Sequence, residues 1–451
     1  MESILKKVLS TVSADYVEVR LEEKSRTSVV YVGKELEDAG TKTVLGGNVR
    51  VYHKGGWGFA SFNDLNELPR CARDAVNQAR LIGGDAAGLA RVPVVHEIVD
   101  EKVGLDPRDV SLEEKEELVR RYNQIILNSP KVQTSRVVYR DTIVKEVFGN
   151  SEGCYIEQEK VYTGISYSAI ARDGINLQRA WGSKGDRRGY RVVTDLEHEI
   201  EKSVKDAVDL LSAPKVSPGQ YTVILDPELS GVFVHEAFGH LSEADFLYDN
   251  PELLEKMKPG TRFGPDELSI VDDGSLPQEN GYNRYDDEGV LSRRTYLIRE
   301  GILSGHLHSR ETAGRMGEEP TGNARALDYR FRPIVRMSCT YIEPREWKFE
   351  EMLSEVKDGI YAIGVLGGQT GLEMFTFTAM KAYLIKDGKL GPMVRDVVLS
   401  GNVFETLMNI DAIGDDLRLK GGLGGCGKQG QSPLPVSDGG PHIRVKKILI
   451  G

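Results

Sequence analysis

Two imidazoles and a carboxylate stand close together in one stretch of this chain, His235-Glu236-Ala237-Phe238-Gly239-His240. Neutral imidazole is the commonest metal ligand, and a carboxylate beside a metal can take a proton from water. His235, Glu236 and His240 are therefore the parts a zinc hydrolase needs. The spacing is HExxxH, one residue longer than the familiar HExxH. On an ideal helix, side chains four apart diverge by about 40° around the axis and those five apart by about 140°. A regular helix would not aim both rings at one ion. The extra residue predicts either a local widening to an i to i+5 turn or a helix that breaks at Gly239, where the missing side chain makes distortion cheap.

Two His are too few, since a zinc centre normally takes three protein ligands and leaves a fourth position for water. The best third candidate is Cys426, far downstream in Gly421-Gly422-Leu423-Gly424-Gly425-Cys426-Gly427-Lys428-Gln429-Gly430-Gln431. A lone Cys between glycines sits on backbone that can approach an ion closely, and zinc would hold its sulfur as thiolate. A thiolate donates more charge than a third imidazole, which weakens the Lewis acidity of the ion and predicts slow, restricted hydrolysis. If exposed, it would also make the metal-free protein sensitive to oxidation.

Together these residues resemble the TldD/PmbA family of zinc metallopeptidases, whose HExxxH helix and late Gly-Cys-Gly-Lys-x-Gly-Gln segment are both present. Tyr285-Asp286-Asp287-Glu288-Gly289, Thr321-Gly322-Asn323-Ala324-Arg325 and Gly367-Gly368-Gln369 match family segments in the same order. One departure is Cys339, where family members often carry Asn. The resemblance implies Zn2+ held by His235, His240 and Cys426, and Glu236 as general base for cleaving peptides or unfolded polypeptide. It also implies a dimer, either of identical chains or with a related subunit lacking the metal site. The rival reading is a non-catalytic scaffold or regulatory subunit of the same fold.

Other polar residues have weaker patterns. His306 and His308 would share one face of a strand, where they could bind substrate or stabilise an oxyanion, or simply be solvated. Asn323 and Arg325 could grip a peptide backbone or carboxylate, or serve turn structure. Asp286, Asp287 and Glu288 lack the spacing of a calcium loop and read as turn acidity. His53, His96, His198 and His442 have no ligand spacing and read as structural. Cys71, Cys154 and Cys339 are scattered singly and read as inert buried thiols.

Composition narrows the partners. A formal net charge of -11 argues against a general nucleic-acid binder, which usually shows a basic face. No apolar run approaches the roughly 18 residues needed to span a bilayer, and the chain starts on an amphipathic pattern rather than a secretory one, so the expected location is cytoplasmic.

The elements that must position these residues form an α+β chain of two domains, 1–213 and 219–451, divided at the proline-containing stretch 212–219. The first reads as a two-layer α/β unit of antiparallel sheet and helices. Helices are expected over 2–12, 65–81, 111–127 and 194–211, strands over 15–23, 27–32, 41–53 and through 131–193, and a loop over 83–109. In the second, strand 221–225 leads straight into the metal helix at Asp226-Pro227. Short strands at 288–297, 305–309, 335–342, 376–386 and 394–399 suggest a rolled antiparallel, barrel-like sheet. Helices at 349–358 and 402–410 decorate it, and 250–264 reads as a surface loop.

Overall fold

The computed structural model describes residues 1–84, 88–371 and 373–451. Its first half is built on four long strands, Tyr16–Val32, Glu35–His53, Val132–Asn150 and Tyr155–Asp173. They run antiparallel in one sheet, with Gly56–Phe62 and Asn176–Asp186 added antiparallel and the short His96–Val99 parallel to the start of Tyr155–Asp173. The loop expected over 83–109 thus contains an edge strand; its residues 85–87 lie outside the described residues. The breaks expected near residues 24 and 40 do not occur, because long pairing with neighbours holds the backbone extended through polar stretches.

Alternation along Tyr16–Val32 divides the work between the two faces. Val17, Val19, Leu21, Val29 and Tyr31 point to one face, where the helices Glu2–Thr11 and Leu68–Ile82 cover one end and Leu112–Leu127 and Glu197–Ser212 the other. Ser111 and Glu114 start the third of these helices with a reciprocal capping box. The opposite face carries buried Glu18, Arg20 and Glu22, and these meet the second half of the chain. Arg20 pairs with Asp287 at 3.0 Å and Glu146 at 2.5 Å, and Arg50 pairs with Glu288 at 2.6 Å and Glu18 at 3.0 Å. The reading of Asp286, Asp287 and Glu288 as turn acidity is therefore corrected for two of the three. Asp286 does cap its turn, accepting from the amides of Glu288 and Val290, but Asp287 and Glu288 are anions of a buried ionic seam between the halves.

In the second half, Asp358–Gly371, Gly219–Leu225, Ile443–Ile450, Val398–Asn402 and Met374–Lys386 pair in that order, and the last returns to the first to close a five-stranded barrel. All neighbours are antiparallel except Gly219–Leu225 with Asp358–Gly371, which is parallel. A second, six-stranded sheet lies beside it, including Ile270–Asp273, Cys339–Ile342 and Ser437–Gly440. Expected strand 305–309 is reduced to a single bridge at Leu307, and the stretch 250–264 holds the helix Pro251–Lys256.

The helix Pro227–Val234 leaves the barrel strand Gly219–Leu225 directly and packs both on the barrel and on the second sheet. On one side Phe233 stacks edge-on against Phe375 and Phe377 of the barrel; burying such a ring contributes about 1.5–3 kcal/mol. On the other, Gly231 faces Gly439, where an added Cβ would lie 2.4 Å from the Gly439 backbone. The strands of the first sheet fall within 16–186 and those of the barrel and second sheet within 219–450, and on that segregation we propose the division into domains 1–213 and 219–451.

Candidate metal centre

Asp226 caps the helix by accepting from the amide of Leu229 at 3.0 Å, and the same oxygen accepts from Gly364 of the barrel at 3.0 Å. Pro227 occupies the first turn, where no amide is needed. Regular winding ends at Val234. Over His235–Gly239 the backbone widens to a π-turn, with the His240 amide donating to the His235 carbonyl. Of the two devices the spacing allows, the widened turn is the one used. It brings the two rings to a centroid separation of 5.3 Å with their planes at 87°.

Gly239 does not break the helix; its φ of -57° is helical. What requires glycine there is a neighbour: an added Cβ would lie 2.1 Å from Met337 Sδ.

Cys426 opens a short hairpin, Cys426–Lys428 paired with Gln431–Leu434. The preceding glycine makes this approach feasible, since a Cβ on Gly425 would sit 2.3 Å from the Leu434 carbonyl oxygen. Cys426 Sγ lies 3.4 Å from His240 Nε2, and one ligand atom from each of His235, His240 and Cys426 lies within 4.8 Å of the others. With Zn–S near 2.3 Å and Zn–N near 2.0–2.1 Å, tetrahedral ligands stand roughly 3.5 Å apart. The donor set fits a soft divalent ion, and His235 Nδ1 is buried without a hydrogen-bond partner. Cys426 itself is only 4% exposed, so the condition for ready oxidation, an exposed thiolate, is not met.

The trio is electrostatically coupled. Burial alone would push the Cys426 thiol up, but the two imidazoles hold it down at about 5. Burial would likewise lower both His, yet the thiolate raises His235 to about 9, and the thiolate with Glu243 raises His240 to about 10. Without metal the group is thus a thiolate facing two imidazoliums, and an ion would replace their protons.

Two residues that sequence reasoning missed complete the centre. Glu243 accepts from His240 Nδ1 at 2.9 Å, which aims Nε2 at the sulfur, and it also accepts from the Met337 amide. Burial opposes its ionisation, but Lys428 at 3.0 Å and His240 hold it at about 2. Lys428 also reaches Asp245 at 2.6 Å and the Val335 carbonyl at 2.8 Å. Their signal was positional: Glu243 lies one turn beyond His240, and Lys428 is two residues past Cys426. Asp438, a half-buried neighbour, is pushed up to about 6 by desolvation against the pull of His235. Glu236 is half-exposed, on the solvent side of the π-turn.

The remaining candidates lie elsewhere. Asn323 donates to Asp272 and to the Arg336 carbonyl, and Arg325 donates to the carbonyls of Met337 at 2.5 Å and Pro435 at 2.6 Å. Both are buried and use these donors inside the fold. His306 and His308 are neither strand residues nor solvated; they converge on Glu318 in a separate buried group. At the seam between the halves lies a cavity of about 310 Å³ with walls of mixed charge, including Lys24, Arg140 and Lys160 and the carboxylates Glu22, Glu146 and Asp328. It borders the metal hairpin through Gly424 and Leu434.

Comparison with known proteins agrees with this architecture. Residues 218–451 match the family model for the PmbA/TldA metallopeptidase C-terminal domain, 17–79 that for domain 1 and 105–213 that for the central domain. A metalloprotease of Synechocystis is 44% identical over 97% of this chain and 95% of its own. A zinc metalloprotease TldD homolog of Saccharolobus solfataricus is 30% identical over 90% of each. The crystal structure of TldE from Thermococcus kodakarensis superposes with a TM-score of 0.80 over 100% of this chain and 99% of its own, at 18% identity, and so shares the fold. From its first sheet to the hairpin that carries Cys426, the chain belongs to the PmbA/TldA metallopeptidase family.

Proposed function

We propose that this metallopeptidase is zinc-dependent and hydrolyses peptides or unfolded protein segments, with His235, His240 and Cys426 holding the ion and Glu236 acting as general base. The observation that carries the reading is the convergence of two imidazoles and a sulfur from distant parts of the chain, with Glu236 directly after the first imidazole on the widened turn. When bound, zinc supplies Lewis acidity, lowering the pKa of a water and polarising the scissile carbonyl. Glu236 takes the proton from the attacking water and returns it to the leaving amine. Glu243 and Lys428 hold the His240 ring in its ligating orientation.

Names of relatives, metalloprotease and zinc metalloprotease, support metal and peptide as the ion and substrate class. A dimer, of identical chains or with a related subunit lacking the metal site, and a cytoplasmic location belong to the same proposal. The complete ligand set disfavours a purely scaffolding subunit. Glu236→Gln tests the assignment: it should retain zinc and fold while peptide cleavage falls by a factor of about 10²–10⁴. Unchanged turnover with stoichiometric zinc would remove Glu236 from its role.

A further inference from the structure

His306, His308 and Glu318 form a second convergence that the proposed hydrolysis does not use. His306 Nδ1 lies 3.1 Å from one Glu318 oxygen and His308 Nε2 lies 3.1 Å from the other. One ligand atom from each of the three falls within 4.8 Å of the other two. Both imidazoles are buried, whereas the Glu318 side chain is 29% exposed, so the group opens to solvent only on its carboxylate side.

The far nitrogens are tethered as well. His306 Nε2 donates to the Met257 carbonyl at 2.8 Å, and His308 Nδ1 lies 3.1 Å from Thr312 Oγ1. Metal-bound His residues characteristically donate their second N–H to a carbonyl or another oxygen, which fixes the tautomer and aims the remaining lone pair. Here the carbonyl obliges His306 to carry its proton on Nε2. A neutral His306 then turns the Nδ1 lone pair toward a carboxylate oxygen that can only accept. In the tautomer that donates its Nδ1 proton to Thr312 Oγ1, His308 does the same from Nε2. One divalent cation satisfies all three acceptors together, whereas without it His306 can donate to the carboxylate only as an imidazolium.

We propose that His306, His308 and Glu318 are a second metal site, taking a divalent transition ion of the zinc type with solvent in the remaining position. Its role is bracing. Leu307, between the two His, donates to the Ser242 carbonyl at 2.8 Å and accepts from the Ala244 amide at 3.0 Å. These are the residues on either side of Glu243, the carboxylate that orients His240. An ion at the second site pins that segment to the helix Arg310–Met316, which separates His308 from Glu318. The proposal does not rest on the catalytic reading of the first centre.

Cobalt(II) titration of the metal-free full-length protein distinguishes the two sites. Thiolate coordination gives a sulfur-to-cobalt charge-transfer band in the near ultraviolet, while an imidazole and carboxylate site gives only visible ligand-field bands. The wild type should bind about two equivalents, only one of them raising the near-ultraviolet band. His308→Gln or Glu318→Gln should reduce uptake to about one equivalent with that band intact, and Cys426→Ser should abolish the band while the visible bands of the second site remain. Saturation of the wild type at one equivalent that carries the full near-ultraviolet band would overturn the proposal without recourse to any variant. So would undiminished uptake by His308→Gln.

Discussion

The His240 ring is held at both ends, by Glu243 on Nδ1 and by the Cys426 sulfur facing Nε2, and this pairing gives the metal-free protein a distinctive pH dependence. Cys426 is lowered to about 5 from an ordinary 9.0, so its contribution to stability is complete above the ordinary value and is lost as pH falls through about 5. His235 and His240 are raised to about 9 and about 10 from 6.5, so theirs is complete below 6.5 and is lost as pH rises through those values. The melting temperature of metal-free protein should therefore be highest near pH 6.5, declining as pH falls from there toward about 5 and as it rises toward about 9 and 10. Cys426→Ser should flatten that profile; an unchanged profile in the variant would show that the thiolate is not paired. At this scale much was legible. The HExxxH spacing demanded a distorted helix because angle and residue number are tied together, and glycines flagged Cys426. Glu243 and Lys428 were not legible, because a carboxylate or ammonium in sequence looks the same whether it faces water or a buried ring.

The element that does most for the centre is the helix that widens after Val234, and its close packing is the measure of its placement. An alanine at Gly239 would drive its Cβ into Met337 Sδ. We expect Gly239→Ala to destabilise by about 1–3 kcal/mol through overpacking and to lower zinc affinity, and both effects to shrink when the substitution is made in a Met337→Ala background; chemical unfolding and metal titration read the two effects. An equal cost of Gly239→Ala in both backgrounds would mean that backbone geometry, not the Met337 contact, requires glycine. Sequence patterns located this helix, its cap and the barrel strands Gly219–Leu225 and Met374–Lys386, since Asp226-Pro227 and alternating apolar residues are local signals, but they gave no strand at Asp358–Gly371 or Ile443–Ile450. They placed the first-domain strands too short. Glu18, Arg20 and Glu22 alternate as a solvent face would, but that face is covered, and the polar stretches beyond remain paired to long neighbours.

Across the whole molecule, the two halves meet through buried charge beside a small apolar cluster in which Tyr285 joins Phe148, Cys154 and Ile156. Arg50 is central to that seam, pairing with Glu18 from its own sheet and Glu288 from the second half and stacking on Trp57 at 3.7 Å. Arg50→Met should cost about 3–5 kcal/mol, because it strands two buried carboxylates. Adding Glu18→Gln and Glu288→Gln should recover part of that loss in denaturant unfolding. If Arg50→Met alone is neutral, the seam does not hold the halves together. No sequence pattern could have announced this contact, since its partners are far apart along the chain and each is an ordinary charge in its own segment.

The most direct test of the central claim is anomalous diffraction at the zinc edge from crystals of zinc-loaded, peptide-cleaving protein. The account predicts a peak about 2.3 Å from Cys426 Sγ and about 2.0–2.1 Å from one ring nitrogen each of His235 and His240. An active, zinc-containing protein with no peak among those three residues would contradict it.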